Sequence, residues 1–288
     1  MNSGNRNSSI ATVSAPPAII VGLDSVTGLQ AARILARRGV RVVGVADDPR
    51  SFACRTRACE RVVPFDAGSE ALIETLETLG ERGNGGVLIP CGDNLVHRLS
   101  HHRDRLTRFH TICLPDHGTV EKLLFKAAFS EYAKREGLPI PLTFILPDRA
   151  GASKAAHELR FPCVLKPDLK TSTWKGLPKA IKVLSERELL DAYDRVSPFA
   201  DRLVAQEWIE GQESDLYACR VYFDRDAKPL VTFVARKIRQ WPLETGSGSA
   251  AIECRNDEVL RNTLKLFEGV GLQAVSYTHL TLPTTPYV

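Results

Sequence analysis

From residue 18 to residue 115 the sequence alternates short apolar runs with segments of helical periodicity, and few folds accommodate that alternation. "AIIVG" (18–22) is continuously apolar, as a strand buried on both faces must be. "GLQAARILARRG" (28–39) then sets apolar residues at helical spacing and ends in glycine, and "VRVVGVA" (40–46) is a second apolar run. The pattern continues through "RVVPF", a helix around 69–80, "GGVLIP", a helix around 94–106 and "TICLP". Strands that each reach the next through a helix are most economically parallel, with right-handed crossovers.

Residues 17–118 are therefore expected to form a Rossmann-like parallel-sheet domain of the α/β class. A helical connector, "TVEKLLFKAAFSEYAKREGLPIP" (119–141), should stop at Gly137 and Pro139. Beyond it the strands change company. "LTFIL", "PCVLK", "KAIKVL", "RLVAQEWI", "DLYACRVYF" and "PLVTFVARKI" lie close together, with helices expected near 150–159 and 185–196. The short link "DRDAKP" (224–229) implies antiparallel pairing, so residues 119–274 read as an α+β domain.

Composition narrows the function classes. The 288 residues are 43% hydrophobic and 25% charged, ordinary for a globular chain with a sizeable core. A net charge of +4 dispersed among acids gives no argument for a nucleic-acid partner. No apolar stretch reaches the roughly 18 to 20 residues that span a bilayer, so no membrane partner is expected. The seven cysteines are odd in number and scattered, which suits the reduced thiols of a cytoplasmic protein. The spacing of Cys54 and Cys59 does not suggest zinc. Residues 1–16 are polar and Ser/Asn-rich and read as a disordered lead-in. At the other end "VSYTHLTLPTTPYV" (275–288) breaks abruptly in composition and resembles a translated adapter sequence. It is expected to be a non-native tail, with native sequence ending near Gln273.

Candidate chemistry gathers in the second half. "RFPCVLKPD" (160–168) is an apolar strand that ends on Lys166, either a solvated strand terminus or a cation aimed into a cleft. "KTSTWKGLPK" (170–179) mixes small residues with lysines between two strands, as a mobile loop closing over phosphates does, and Lys179 is its cation of interest. "ARKIRQWP" sets Lys237 and Arg239 two apart on a strand, hence on one face, where an ammonium beside a guanidinium suits a carboxylate or an acyl phosphate. The glycines of the following "GSGSA" would let a substrate approach closely. In "HRLSHH", His97 and His101 stand one helical turn apart, but no carboxylate or thiolate lies nearby in ligand spacing, and a polar helix face is the reading.

Four segments in order, "LLFKAAFSEYAKREGLPIP", "FPCVLKPD", "LVAQEWIEGQESDLYA" and "ARKIRQWPLETGSGS", resemble the ATP-grasp superfamily and its carboxylate–amine ligase-like members. The resemblance covers residues 17–273. It implies a pre-ATP-grasp domain followed by an ATP-grasp domain that is incomplete at its C-terminus. Lys126 and Lys166 would then contact ATP phosphates or the adenine edge, although Phe125 stands where the family has an aspartate, and Lys126 also fits a solvated helix lysine. Glu207, Trp208 and Ile209 would form the hinge that reads adenine, and Glu213 or Asp215 would accept from the ribose hydroxyls; a charged hairpin turn is the alternative. Lys237 and Arg239 would act on the carboxyl substrate.

The function so implied is an ATP-dependent ligase that joins a carboxylate to an amine through an acyl phosphate. Its cofactors would be ATP and Mg²⁺, and its partners small carboxylates and amines such as amino acids or peptides. The family's acidic metal ligands fall beyond Gln273, so no metal ligand is assigned and the chain as written is expected to be inactive. Two alternatives stay open: an NAD(P)-dependent oxidoreductase, suggested by "GLDSVTG" (22–28) and Asp47 although the spacing is not GxGxxG, and a non-catalytic nucleotide-binding module. Substrate identity and oligomeric state are not legible.

Overall fold

The computed structural model describes residues 15–66, 69–169, 172–174, 176–224, 226–241, 243, 245–268, 270 and 280–283. Most of the expected lead-in and of the tail lies outside them. Two compact units divide the chain: Met1–Leu95 with His102–Ile112, and Val96–His101 with Cys113–Val288.

In the first unit, β1 (Ala18–Val21), α1 (Val26–Arg37), β2 (Val42–Ala46), β3 (Arg61–Pro64), α2 (Ser69–Leu79), β4 (Val87–Pro90), α3 (Asp93–His101), α4 (Arg103–Leu106) and β5 (Thr111–Ile112) follow one another. The last turns of α3 belong to the second unit. The sheet is parallel, in the order β3-β2-β1-β4-β5, which confirms the Rossmann-like expectation. Strands β1 and β2 are buried throughout, which is why they read as unbroken apolar runs. Ser25 caps α1, its Oγ accepting from the Gly28 amide at 2.9 Å and donating to the Gly22 carbonyl at 2.7 Å. Gly28 is needed because a Cβ there would lie 2.2 Å from the Gly22 carbonyl oxygen. The helix expected around 94–106 is broken at His102 into α3 and α4. From α4, Arg105 reaches back to both Glu77 and Glu70 on α2.

The second unit opens with α5 (His117–Leu124) and α6 (Lys126–Arg135), so the single connector helix of the sequence reading is in fact two. Phe125 adopts an extended backbone (φ −77°, ψ 123°) and breaks it. Then come β6 (Thr143–Leu146), α7 (Arg149–Glu158), β7 (Cys163–Pro167), β8 (Ile181–Val183), α8 (Glu186–Val196), β9 (Leu203–Glu207), β10 (Leu216–Phe223), β11 (Pro229–Trp241), β12 (Ser247–Glu253), α9 (Asp257–Glu268) and β13 (Leu280–Pro283). They build two four-stranded antiparallel sheets, β6-β9-β7-β8 and β12-β11-β10-β13. The last four residues of "GSGSA", the stretch expected to let a substrate approach closely, begin β12. The strand at the very end of the described chain takes the edge beside β10.

Each sheet has its own core. Leu146, Cys163, Leu165, Val183, Leu203 and Ala205 point from the first sheet onto Ala152, Ala155 and Ala156 of α7 and Leu189, Ala192 and Val196 of α8. Cys219, Val221, Phe223 and Val234 of the second sheet pack with Tyr132, Val259, Leu266 and Phe267. No helix of the described residues is long and apolar enough to cross a membrane.

Candidate functional site

Alternation along β7 decides which side chains are available for chemistry. Cys163 and Leu165 face the helices, so Val164 and Lys166 must face the other way. Val164 is paired with Gln206 of β9 and with Lys182 of β8, and Gln206 is paired in turn with Thr143 of β6. Thr143, Gln206, Lys166 and Lys182 therefore share the sheet face that α7 and α8 leave open. Their side chains are joined across it: Lys166 Nζ donates to Gln206 Oε1 at 2.5 Å, and Gln206 Nε2 donates to Thr143 Oγ1 at 2.8 Å.

Lys166 is the electrostatic centre of this face. Burial of its ammonium, together with the positive charges of Lys126 and Lys179, brings its pKa down from 10.5 to about 8. Three of the lysines singled out from sequence thus act on one another, although they come from α6, β7 and the segment before β8. A cluster of like charges held in part away from water favours an anion among them.

Lys126 is placed by a residue the sequence reading passed over. Asp168, almost fully buried, accepts from the Ala127 amide through Oδ1 at 2.8 Å and from Arg202 Nε through Oδ2 at 2.6 Å. Its carbonyl oxygen accepts from Lys126 Nζ at 2.7 Å. One aspartate thereby caps α6, anchors its first lysine and balances Arg202. The signal was present in "LKPD", where Asp168 follows Lys166 by two; nothing local pointed to Arg202.

The supposed hinge lies at the end of β9. Glu207 donates its amide to the Leu142 carbonyl at 2.9 Å, and Trp208 donates its own to the Pro162 carbonyl at 3.2 Å. The Lys182 ammonium stands over the Trp208 ring, 4.3 Å from its centroid. Glu207, Trp208 and Ile209 are all half-buried. Past Gly211, Asp215 is exposed and its Oδ2 accepts from the Gln212 amide at 2.9 Å. Glu213 begins a single helical turn, but its side chain lies outside the described residues.

Two expectations need correction. Lys237 and Arg239 do not share a face, because the pairing of β11 with β12 shifts register between Lys237 and Arg239 and again between Arg239 and Gln240. A bulge cancels the alternation on which the inference rested. Lys237 instead shares a face with buried Gln240, to whose Oε1 its Nζ donates at 2.9 Å, while Arg239 is exposed. The loop at 170–179 is not free along its length either. Trp174 is completely buried in the core of the first sheet, and its Nε1 donates to the Pro178 carbonyl at 2.8 Å. Lys179 follows this anchor and is exposed; Lys170, Thr171 and Lys175 lie outside the described residues.

No protein-family model matches the chain. The crystal structure of an L-amino acid ligase from Bacillus licheniformis superposes with a TM-score of 0.68 over 90% of the chain and 61% of its own length, at 15% identity. An N5-carboxyaminoimidazole ribonucleotide synthetase in complex with ADP superposes with a TM-score of 0.65 over 90% and 64%, at 14% identity. In sequence, D-aspartate ligase of Enterococcus faecium is 24% identical over 233 residues, 75% of this chain and 54% of the relative. The chain has the fold of ATP-grasp ligases. It spans about half the length of this curated relative. Within the ATP-grasp fold, the two antiparallel sheets of the second unit and the lysines on the first of them are the parts that the four sequence motifs marked.

Proposed function

We propose that the chain carries the nucleotide-binding part of an ATP-dependent ligase that joins a carboxylate to an amine. The observation that carries this reading is the convergence of Lys126, Lys166 and Lys179, with the Lys166 pKa drawn down to about 8 by burial and by its two neighbours. A polyphosphate among these ammonium groups would offset their mutual repulsion. Mg²⁺ would accompany the nucleotide and screen its phosphates.

In the reaction, a substrate carboxylate oxygen attacks the γ-phosphorus and ADP leaves, giving an acyl phosphate. The amine nitrogen then attacks the acyl carbon, inorganic phosphate departs, and the nitrogen loses its proton to form the amide. The lysines bind and orient the phosphates, and Glu207 to Ile209 receive the adenine edge beside Trp208. Asp215, with Glu213, is the candidate for the ribose hydroxyls. Lys237 is the candidate for the carboxyl substrate; Arg239, on the opposite face of β11, is the weaker of the two. Amino acids are the substrate class we favour, because the similar proteins named above include an L-amino acid ligase and a D-aspartate ligase. The oxidoreductase alternative gains no support: the turn after β1 is closed on itself by Ser25 and Gly28.

Calorimetric titration with ADP and a non-hydrolysable ATP analogue, each with Mg²⁺, tests the reading, with NAD⁺ run in parallel. Lys166→Met should weaken ADP binding by about 10- to 100-fold, the worth of a hydrogen bond to a charged group. Binding of NAD⁺ alone, or ADP affinity equal in Lys166→Met and the parent, would overturn it.

A further inference from the structure

The histidine pair dismissed as a polar helix face has company in three dimensions. His97 and His101 are one turn apart on α3, and His117 and Glu121 are one turn apart on α5. All four belong to the second unit. His97 Nε2 lies 3.3 Å from Glu121 Oε1, and His117 Nε2 lies 3.4 Å from the same oxygen. One ligand atom from each of His97, His117 and Glu121 falls within 4.8 Å of the others. His101 Nδ1 is a further 3.2 Å from His117 Nε2.

The two separations from Glu121 match the edges of a metal-centred tetrahedron. With metal–nitrogen bonds of 2.0–2.1 Å, donors around a tetrahedral zinc lie about 3.3 Å apart. The surroundings also set the tautomer. Ser100 Oγ donates its single proton to the His97 carbonyl at 2.8 Å, so toward His117 Nδ1, at 2.9 Å, it accepts. His117 therefore carries its proton on Nδ1 and turns the Nε2 lone pair toward Glu121 and His101. A hydroxyl that fixes the distal nitrogen of a ligating imidazole is the outer support such sites use. The His97 ring is held in addition by an edge contact with Phe125, centroids 5.4 Å apart.

We infer that His97, His117 and Glu121 form a binding site for a divalent transition metal of the zinc class. Two imidazoles with one carboxylate suit zinc far better than the magnesium that accompanies a nucleotide. The ion would take the place of a proton between His97 and Glu121, accept the His117 Nε2 lone pair, and tie the end of α3 to α5. The site is independent of the nucleotide reading, since none of its ligands belongs to the lysine cluster.

The test uses the full 288-residue chain without a histidine tag. Stripped with a chelator, incubated with Zn²⁺ and desalted, it should retain about one ion per chain by elemental mass spectrometry, and Zn²⁺ should raise its melting temperature. Co²⁺ in its place should give the visible absorption of a tetrahedral site. His117→Ala and the near-isosteric Glu121→Gln should abolish retention, and Ser100→Ala should weaken it about 10- to 100-fold, the cost typical of lost outer support. His157→Gln, at a surface ion pair with Glu186, should retain the ion. No retained zinc and no thermal shift in the parent chain would overturn the inference even if a variant failed to fold. Retention unchanged in Glu121→Gln would overturn it as well.

Discussion

At the scale of single residues, Lys166 joins an environment to a measurable titration. Its folded-state pKa of about 8 lies below its ordinary 10.5, so between these values the folded chain binds fewer protons than the unfolded one. Stability contributed by this residue is therefore poorest below about pH 8 and rises as pH climbs toward 10.5. Anion binding reverses the shift. A polyphosphate favours the charged ammonium, so ADP binding above about pH 8 should take up close to one proton, and affinity should fall as pH increases. Titrations in two buffers of different ionisation enthalpy measure that uptake; the same proton exchange at pH 7 and pH 9, unaltered in Lys166→Met, would show that Lys166 does not meet the phosphates. The lysine was visible in sequence as the polar end of an apolar strand. Its neighbours were not, because Lys126 and Lys179 come to it from other segments, and Lys126 is held by an aspartate 42 residues away.

At the scale of elements, local periodicity held wherever a segment had one buried face. Most strands and helices lie close to their expected positions, β12 excepted, because burial of one side imposes a period of two or 3.6 on the sequence. It failed where backbone geometry departs from the period. The bulge in β11 put Lys237 and Arg239 on different faces, and the break at Phe125 divided one expected helix into α5 and α6. The segment before β8 was read as loop from its small residues, yet Trp174 inside it is a core side chain. Trp174→Ala should destabilise the second unit by about 3–5 kcal/mol. Trp174→Phe, which keeps most of the packing and loses the hydrogen bond to Pro178, should cost about 1 kcal/mol for that bond plus a small packing defect. Urea denaturation followed by far-ultraviolet dichroism separates the two; equal, negligible effects would mean the indole is not buried.

At the scale of the whole molecule, the two units have separate cores and separate sheets. A lesion in one should be distinguishable from a ligand in the other. Gly28→Ala brings a Cβ to 2.2 Å from the Gly22 oxygen and should destabilise the first unit by roughly 1–3 kcal/mol, while leaving the gain in stability that ADP gives the second unit intact. Hydrogen exchange resolved along the chain checks this, and loss of ADP-dependent protection in Gly28→Ala would refute it. The sequence by itself determined the order of strands and helices, the change from a parallel to an antiparallel half, and the ATP-grasp motifs, since these follow from patterns within a few residues of one another. Tertiary structure alone decided which lysines meet, that Asp168 seats α6, that a bulge separates Lys237 from Arg239, and that His117 and Glu121 complete a histidine pair. Those contacts join residues from different elements, and their partners are set by strand register and helix packing, which no local spacing encodes.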